Sequence, residues 1–253
     1  LLPKTSKILG GEIIFEGKNI LTLNNSELQH IRGAKIALIP QDPMTSLNPL
    51  YTVGDQLLEV IKIHQGLGGE EAYNKAVEAL ETVQIPCAKE RMKAYPHEFS
   101  GGMKQRAIIA MALACKAEVL IADEPTTALD VTIQAQIMNL LDDIKKRMTT
   151  AILLITHDLA LVSENADYVS VMYAGRIVEN APASEFFKHP NHPYTLALLR
   201  SLPSKKGERL ETIHGQPPSI HQEISGCRFH PRCEMCMEIC TKNIPPKFDI
   251  AYG

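Results

Sequence analysis

The residues best suited to chemistry lie where short apolar runs stop. Val119-Leu120-Ile121-Ala122 leads directly into Asp123-Glu124-Pro125. Two adjacent carboxylates at the carboxyl end of a buried strand stand at the edge where α/β sheets bind ligands. Asp123 is placed to hold Mg²⁺, directly or through water, and Glu124 to polarise a water for attack on a γ-phosphate. The same residues also suit a solvated acidic turn, so their neighbours decide. Ser100-Gly101-Gly102-Met103 opens a helical stretch upstream. A Ser N-cap followed by glycines lets backbone N–H groups meet an anion at a helix start, or simply caps the helix. Thr127-Ala128-Leu129-Asp130 follows the acidic pair, and His157 follows the apolar run Ile152 to Ile155. Gln41 follows Ile36 to Ile39 in the same manner. Strand ends would thus deliver Gln41, Asp123, Glu124 and His157 to one edge, where His157 could contact a γ-phosphate.

The elements that must position them alternate between strand and helix. Strands are expected over Ile36 to Ile39, Val119 to Ala122 and Ala151 to Thr156, and helices over Gly101 to Cys115 and Val131 to Met148. The strands are uniformly apolar, as parallel strands covered on both faces are. The fold class expected is α/β with a parallel sheet. Val53, Leu57, Val60 and Ile61, then Ala76, Val77, Leu80 and Val83, recur at helical spacing and read as an inserted helical lobe over about residues 53–110. Glu12 to Lys18 suggests a hairpin, Ser26 to Gln29 fits a capping box, Tyr168 to Asn180 a hairpin turning at Ala174-Gly175, and Pro193 to Leu202 a short helix. A small module rich in Pro, Gly and charge follows, which divides the chain into 1–202 and 203–253.

Bulk properties exclude some roles. A formal charge of −3 gives no basic stripe for nucleic acid. The longest wholly aliphatic stretch, Ala151 to Ile155, is five residues, against the ~20 of a membrane-spanning helix.

Taken in order, these motifs resemble those of ABC ATPases, whose core is a P-loop NTPase fold. Phe99-Ser100-Gly101-Gly102-Met103 looks like the ABC signature, with Met103 at a position commonly Gln, and Val119 to Glu124 looks like Walker B. Ala128-Leu129-Asp130 looks like the D-loop, His157 like the switch histidine and Gln41 like the Q-loop glutamine. The resemblance implies a head-to-tail dimer with a second ABC ATPase subunit, itself a paralogue or a copy, and ATP between one subunit's phosphate loop and the other's signature. It implies Glu124 as general base, His157 at the γ-phosphate, Asp123 on Mg²⁺, and Ser100, Gly101, Gly102 and Asp130 as nucleotide-binding elements. Gln41 would link the site to transmembrane permease subunits through Pro43 to Tyr51.

No G-x-x-x-x-G-K-[S/T] phosphate loop occurs, and Gly10-Gly11 lacks the Lys-Ser/Thr that must follow. In the family this loop precedes the point where Leu1 stands, and Leu1-Leu2-Pro3 resembles the end of the helix after it. The reading is a truncated active gene product that hydrolyses ATP negligibly as written. A non-catalytic subunit lending only its signature is the alternative.

Four of the six cysteines fall at Cys227-x5-Cys233-x2-Cys236-x3-Cys240, a spacing open to a [4Fe–4S] cluster, to Zn²⁺ or to unligated thiols. His192-Pro193-Tyr194-Thr195 and Cys227 to Cys233 resemble the C-terminal extension of oligopeptide and dipeptide importer ATPases, some of which carry a [4Fe–4S] cluster. That likeness implies peptide import at the cytoplasmic face of the membrane, with an extracellular solute-binding protein upstream. Nickel and glutathione importers share much of the pattern. A soluble ABC ATPase of translation or DNA repair is a more distant alternative.

Overall fold

The computed structural model describes residues 5–127, 129–202, 212–219 and 222–250. The chain forms two compact units, residues 1–157 and 158–253. The expected boundary at 203 and the readings on Leu1-Leu2-Pro3 and Ala128 lie outside the described residues.

The first unit begins with the expected hairpin, β1 (Ile14–Phe15) against β2 (Lys18–Asn19). Helix α1 (Asn25–Ile31) does start with a capping box, but its N-cap is Asn24 rather than Ser26. The Asn24 side chain accepts from the Glu27 N–H, and Glu27 Oε2 accepts from the Asn24 N–H at 2.8 Å. Asn serves as well as Ser at an N-cap, so the Asn24/Glu27 pairing sets the start. Strand β3 (Ile36–Ile39) follows, stopped by Pro40, and α2 (Pro43–Ser46) is capped by Asp42.

Helices α3 (Val53–Gln65), α4 (Gly69–Thr82) and α5 (Ala88–Arg91) come next. Val53, Leu57 and Ile61 on α3 and Ala72, Ala76 and Leu80 on α4 are buried at four-residue spacing, so each helix turns one stripe inward. Both pack on α6 (Gly101–Ala114). Helix α6 is buried nearly all round: Lys104, Gln105 and Arg106 are enclosed along with Ala107 to Ala110.

Strand β4 (Val119–Asp123), helix α7 (Val131–Arg147) and strand β5 (Ala151–Ile155) complete the unit. The sheet order is β3-β4-β5, all parallel, with Ile39 level with Ala122 and Asp123 level with Ile155. Leu120 and Ala122 are buried on one face, whereas Leu38, Leu153 and Ile155 are exposed on β3 and β5.

The second unit contains α8 (Leu159–Asn165), then β6 (Tyr168–Tyr173) antiparallel to β7 (Arg176–Pro182). Ala174 and Gly175 both take positive φ, 46° and 77°, the backbone a two-residue hairpin turn requires. Val169, Val171, Ala181 and Phe186, the last on α9 (Ala183–Phe186), form its core. After α10 (Pro193–Arg200) the cysteine segment ends in α11 (Glu238–Lys242). This segment is tied to the hairpin: Arg228 donates to the Ala174 carbonyl, and Arg232 Nη1 donates to the Tyr173 hydroxyl at 3.3 Å. Phe229, buried, packs edge-on to Tyr173 at 5.2 Å between ring centres.

Candidate active site

The parallel register brings three strand ends to one level, and the residues just beyond them meet on a single carboxylate. Gln41 Nε2 donates to Glu124 Oε2 at 2.6 Å, and His157 Nδ1 lies 3.1 Å from Glu124 Oε1. Thr127 Oγ1 donates to Oε2 at 2.9 Å. These bonds hold the Glu124 carboxyl below the usual carboxylate range, the Thr127 hydroxyl contributing most, then His157 and Gln41. Donors to the ionised form favour it, so Glu124 stands as a carboxylate, able to accept a proton.

The backbone at Glu124 is unusual. Its φ is +44°, a left-handed conformation that costs a non-glycine residue about 1–3 kcal/mol and persists only where surroundings enforce it. The Glu124 N–H donates to the Ile155 carbonyl at 2.9 Å, and the Thr127 N–H donates to the Glu124 carbonyl at 3.1 Å. Pro125 follows Glu124, as suits the second position of a β-turn. The strained residue is thus fixed by the neighbouring strand on one side and by its own turn on the other.

Asp123 ends β4 beside this group. Mg²⁺ takes one or two protein carboxylates and completes its shell with phosphates and waters; a single carboxylate at a strand end suits that pattern. Asp123 fits the ion.

The signature segment is arranged differently. Ser100 is the N-cap of α6, and its Oγ accepts from the Met103 N–H at 3.3 Å. A Cβ at Gly102 would lie 2.9 Å from Ile133 Cγ2 on α7, whereas one at Gly101 would make only ordinary contact with Leu129 Cδ2 at 3.8 Å. Helix packing therefore demands a glycine at 102, and less strictly at 101. Asp130 caps α7, accepting from the Ile133 N–H at 3.0 Å. Ser100, Gly101, Gly102 and Asp130 share no hydrogen bond with the Glu124 group among the described residues.

Two residues escaped the sequence reading. Thr127 was legible only as part of a loop, because its bond to Glu124 depends on the left-handed turn. Arg106 is buried on α6, where Nη1 donates to the Val83 carbonyl at 2.7 Å and Nη2 to Gln136 Oε1 on α7 at 2.9 Å. Burial lowers its affinity for the proton. No periodic or motif signal marks such a strut.

The cysteines do not behave as the spacing suggested. The Cys227 N–H donates to the Cys240 carbonyl at 2.8 Å, and Gly226, at φ +65°, is where a Cβ would run into that oxygen. The backbones are thus drawn together. Yet among the described residues no three His, Cys, Asp or Glu side chains gather as a metal-binding group. Burial pushes the Cys233 thiol up, and the neighbouring Cys236, Cys227 and Cys240 add to this. The expected [4Fe–4S] cluster or Zn²⁺ at Cys227, Cys233, Cys236 and Cys240 therefore finds no support among the described residues.

A parallel sheet thus delivers Asp, Glu, Gln and His to its carboxyl edge, and Ser100 caps a helix that begins with Gly101-Gly102. The family model described as ABC transporter matches residues 2–127, and one described as oligopeptide/dipeptide transporter, C-terminal region, matches residues 178–240. The probable peptide ABC transporter ATP-binding protein y4tR of Sinorhizobium fredii is 51% identical over 100% of this chain and 77% of its own length. The oligopeptide transport ATP-binding protein OppD of Salmonella typhimurium is 51% identical over 97% of this chain and 73% of its own. Among solved structures, the dimeric ATP-binding cassette MJ0796 bound to ADP and Pi superposes with a TM-score of 0.62 at 27% identity, covering 70% of this chain and 75% of that one. CbiO1 of Clostridium perfringens, part of a cbiONQ transporter complex, gives 0.63 at 29%, covering 73% and 71%. The chain belongs to the ABC transporter ATPase family, with the oligopeptide/dipeptide transporter C-terminal region.

Proposed function

We propose that this chain supplies the hydrolytic residues of an ATPase subunit that drives import of di- and oligopeptides through a membrane permease, the phosphate loop not being among its residues. The observation that carries the reading is the convergence of Gln41, Thr127 and His157 on the Glu124 carboxylate. Glu124 takes a proton from water as the water oxygen bonds to the γ-phosphorus and the bond to the ADP oxygen breaks. His157 stands beside the same carboxylate and would contact the γ-phosphate of a bound ATP. Asp123 holds Mg²⁺, which when bound neutralises charge on the phosphates.

Ser100, Gly101, Gly102 and Asp130 serve an ATP bound mainly by a second ATPase subunit, a paralogue or a copy, in a head-to-tail dimer. The dimeric state of the MJ0796 cassette supports this arrangement. Residues 1–202 form the ATPase domain, with a helical subdomain over about 53–110, and 203–253 form the extension. The subunit works at the cytoplasmic face of the membrane, with permease subunits near Pro43 to Tyr51 and a solute-binding protein outside. Exposed Met44, Leu50 and Tyr51 support that contact, and the names of the relatives support the peptide substrate.

The test is phosphate release by the full-length gene product assembled with its permease and binding protein in liposomes. Peptide should stimulate ATP turnover and enter the vesicle. Stimulation by Ni²⁺ and not by peptide would overturn the substrate assignment.

A further inference from the structure

The ATPase reading leaves open what keeps the Glu124 carboxylate aimed when its other partners move. On that reading Gln41 and His157 each have a second task, toward the permease side and toward the γ-phosphate. Each also stands on a different strand end from Glu124. Thr127 differs. It closes the same turn as Glu124, with its N–H on the Glu124 carbonyl at 3.1 Å and its hydroxyl on Glu124 Oε2 at 2.9 Å. It therefore travels with Glu124 whatever the neighbouring loops do.

The distribution of donors is uneven. Among the described residues, Oε2 receives both the Gln41 amide and the Thr127 hydroxyl, while Oε1 meets only His157. A carboxylate oxygen offers about two acceptor positions, so Oε2 is filled and Oε1 keeps one free. Rotation of the carboxylate would break both bonds at Oε2 together. From this geometry we infer that Thr127 is a positioning residue for hydrolysis: its hydroxyl pins Oε2 of Glu124 so that Oε1 is the oxygen presented to the attacking water.

The experiment uses the full-length protein assembled with its permease, and compares Thr127→Val with Thr127→Ser. Valine matches threonine in shape and lacks the hydroxyl; serine keeps it. Thr127→Val should lower kcat at least about tenfold, with KM for ATP within about twofold. Thr127→Ser should restore most of the rate. In a Glu124→Gln background, Thr127→Val should lower kcat no further, since the two act as a unit. If the valine variant does not fold, Thr127→Ala takes its place in the same comparison. A valine variant that turns over at the parental rate, a serine variant as slow as valine, or a KM rising in step with the fall in kcat overturns the proposal. A parent that hydrolyses no ATP, or is indifferent to Glu124→Gln, overturns the ATPase reading and this proposal with it. Glu124 dependence without Thr127 dependence overturns this proposal alone.

Discussion

The Glu124 edge and the start of helix α6 both carry signature residues of the family, yet they are built in opposite ways. At the sheet edge, residues from three separate segments spend their hydrogen bonds on one carboxylate. At the helix start, Ser100 satisfies its own helix, Asp130 caps the next, and Gly102 exists to let α6 lie against Ile133. The first region is a preorganised chemical group, and preorganised groups are what hydrolysis needs. The second is a rigid platform whose N–H groups point at a helix end suited to an anion. The difference teaches that family motifs of equal clarity in sequence can mean a site in one place and a scaffold for a site in another.

The largest effect that would sharpen this contrast is at His157. His157→Ala removes the partner that Glu124 Oε1 has among the described residues and should cut phosphate release by the full-length protein about hundredfold, a common loss for an acid–base partner, with thermal stability unchanged because His157 is exposed. Next is Arg106, which joins α6 to α7 and to Val83. Arg106→Ala leaves the buried Val83 carbonyl without its donor and should destabilise the first unit by about 1–3 kcal/mol, read in a denaturant melt. The smallest is the glycine pair. Gly102→Ala should lose about 1–2 kcal/mol through crowding at Ile133, while Gly101→Ala, in open contact, should melt with the parent. Equal melting of the two glycine variants would break the contrast, since both would then be free of packing demands.

Much of this was legible in the sequence. The strands Ile36–Ile39, Val119–Asp123 and Ala151–Ile155 stand close to where unbroken apolar runs placed them, because a run too short for a helix and free of alternation has few other homes. Given parallel pairing, the convergence of Gln41, Glu124 and His157 follows from register. What was not legible depends on backbone conformations or distant contacts. The left-handed φ at Glu124 is invisible in a string of letters, so Thr127 passed as a loop residue. Gln136 lies across a helix interface from Arg106, and no spacing rule links them. The cysteine spacing was legible in part: the backbones do approach, through Cys227 and Cys240, but no metal-binding group forms among the described residues.

The central claim is that Glu124 is the group that activates water. Its direct measurement is single-turnover phosphate release by the full-length protein assembled with its permease, comparing the parent with Glu124→Gln at equal ATP occupancy. The account predicts that Glu124→Gln binds ATP like the parent and releases phosphate at least about a hundredfold more slowly. Release at the parental rate with ATP bound would contradict it.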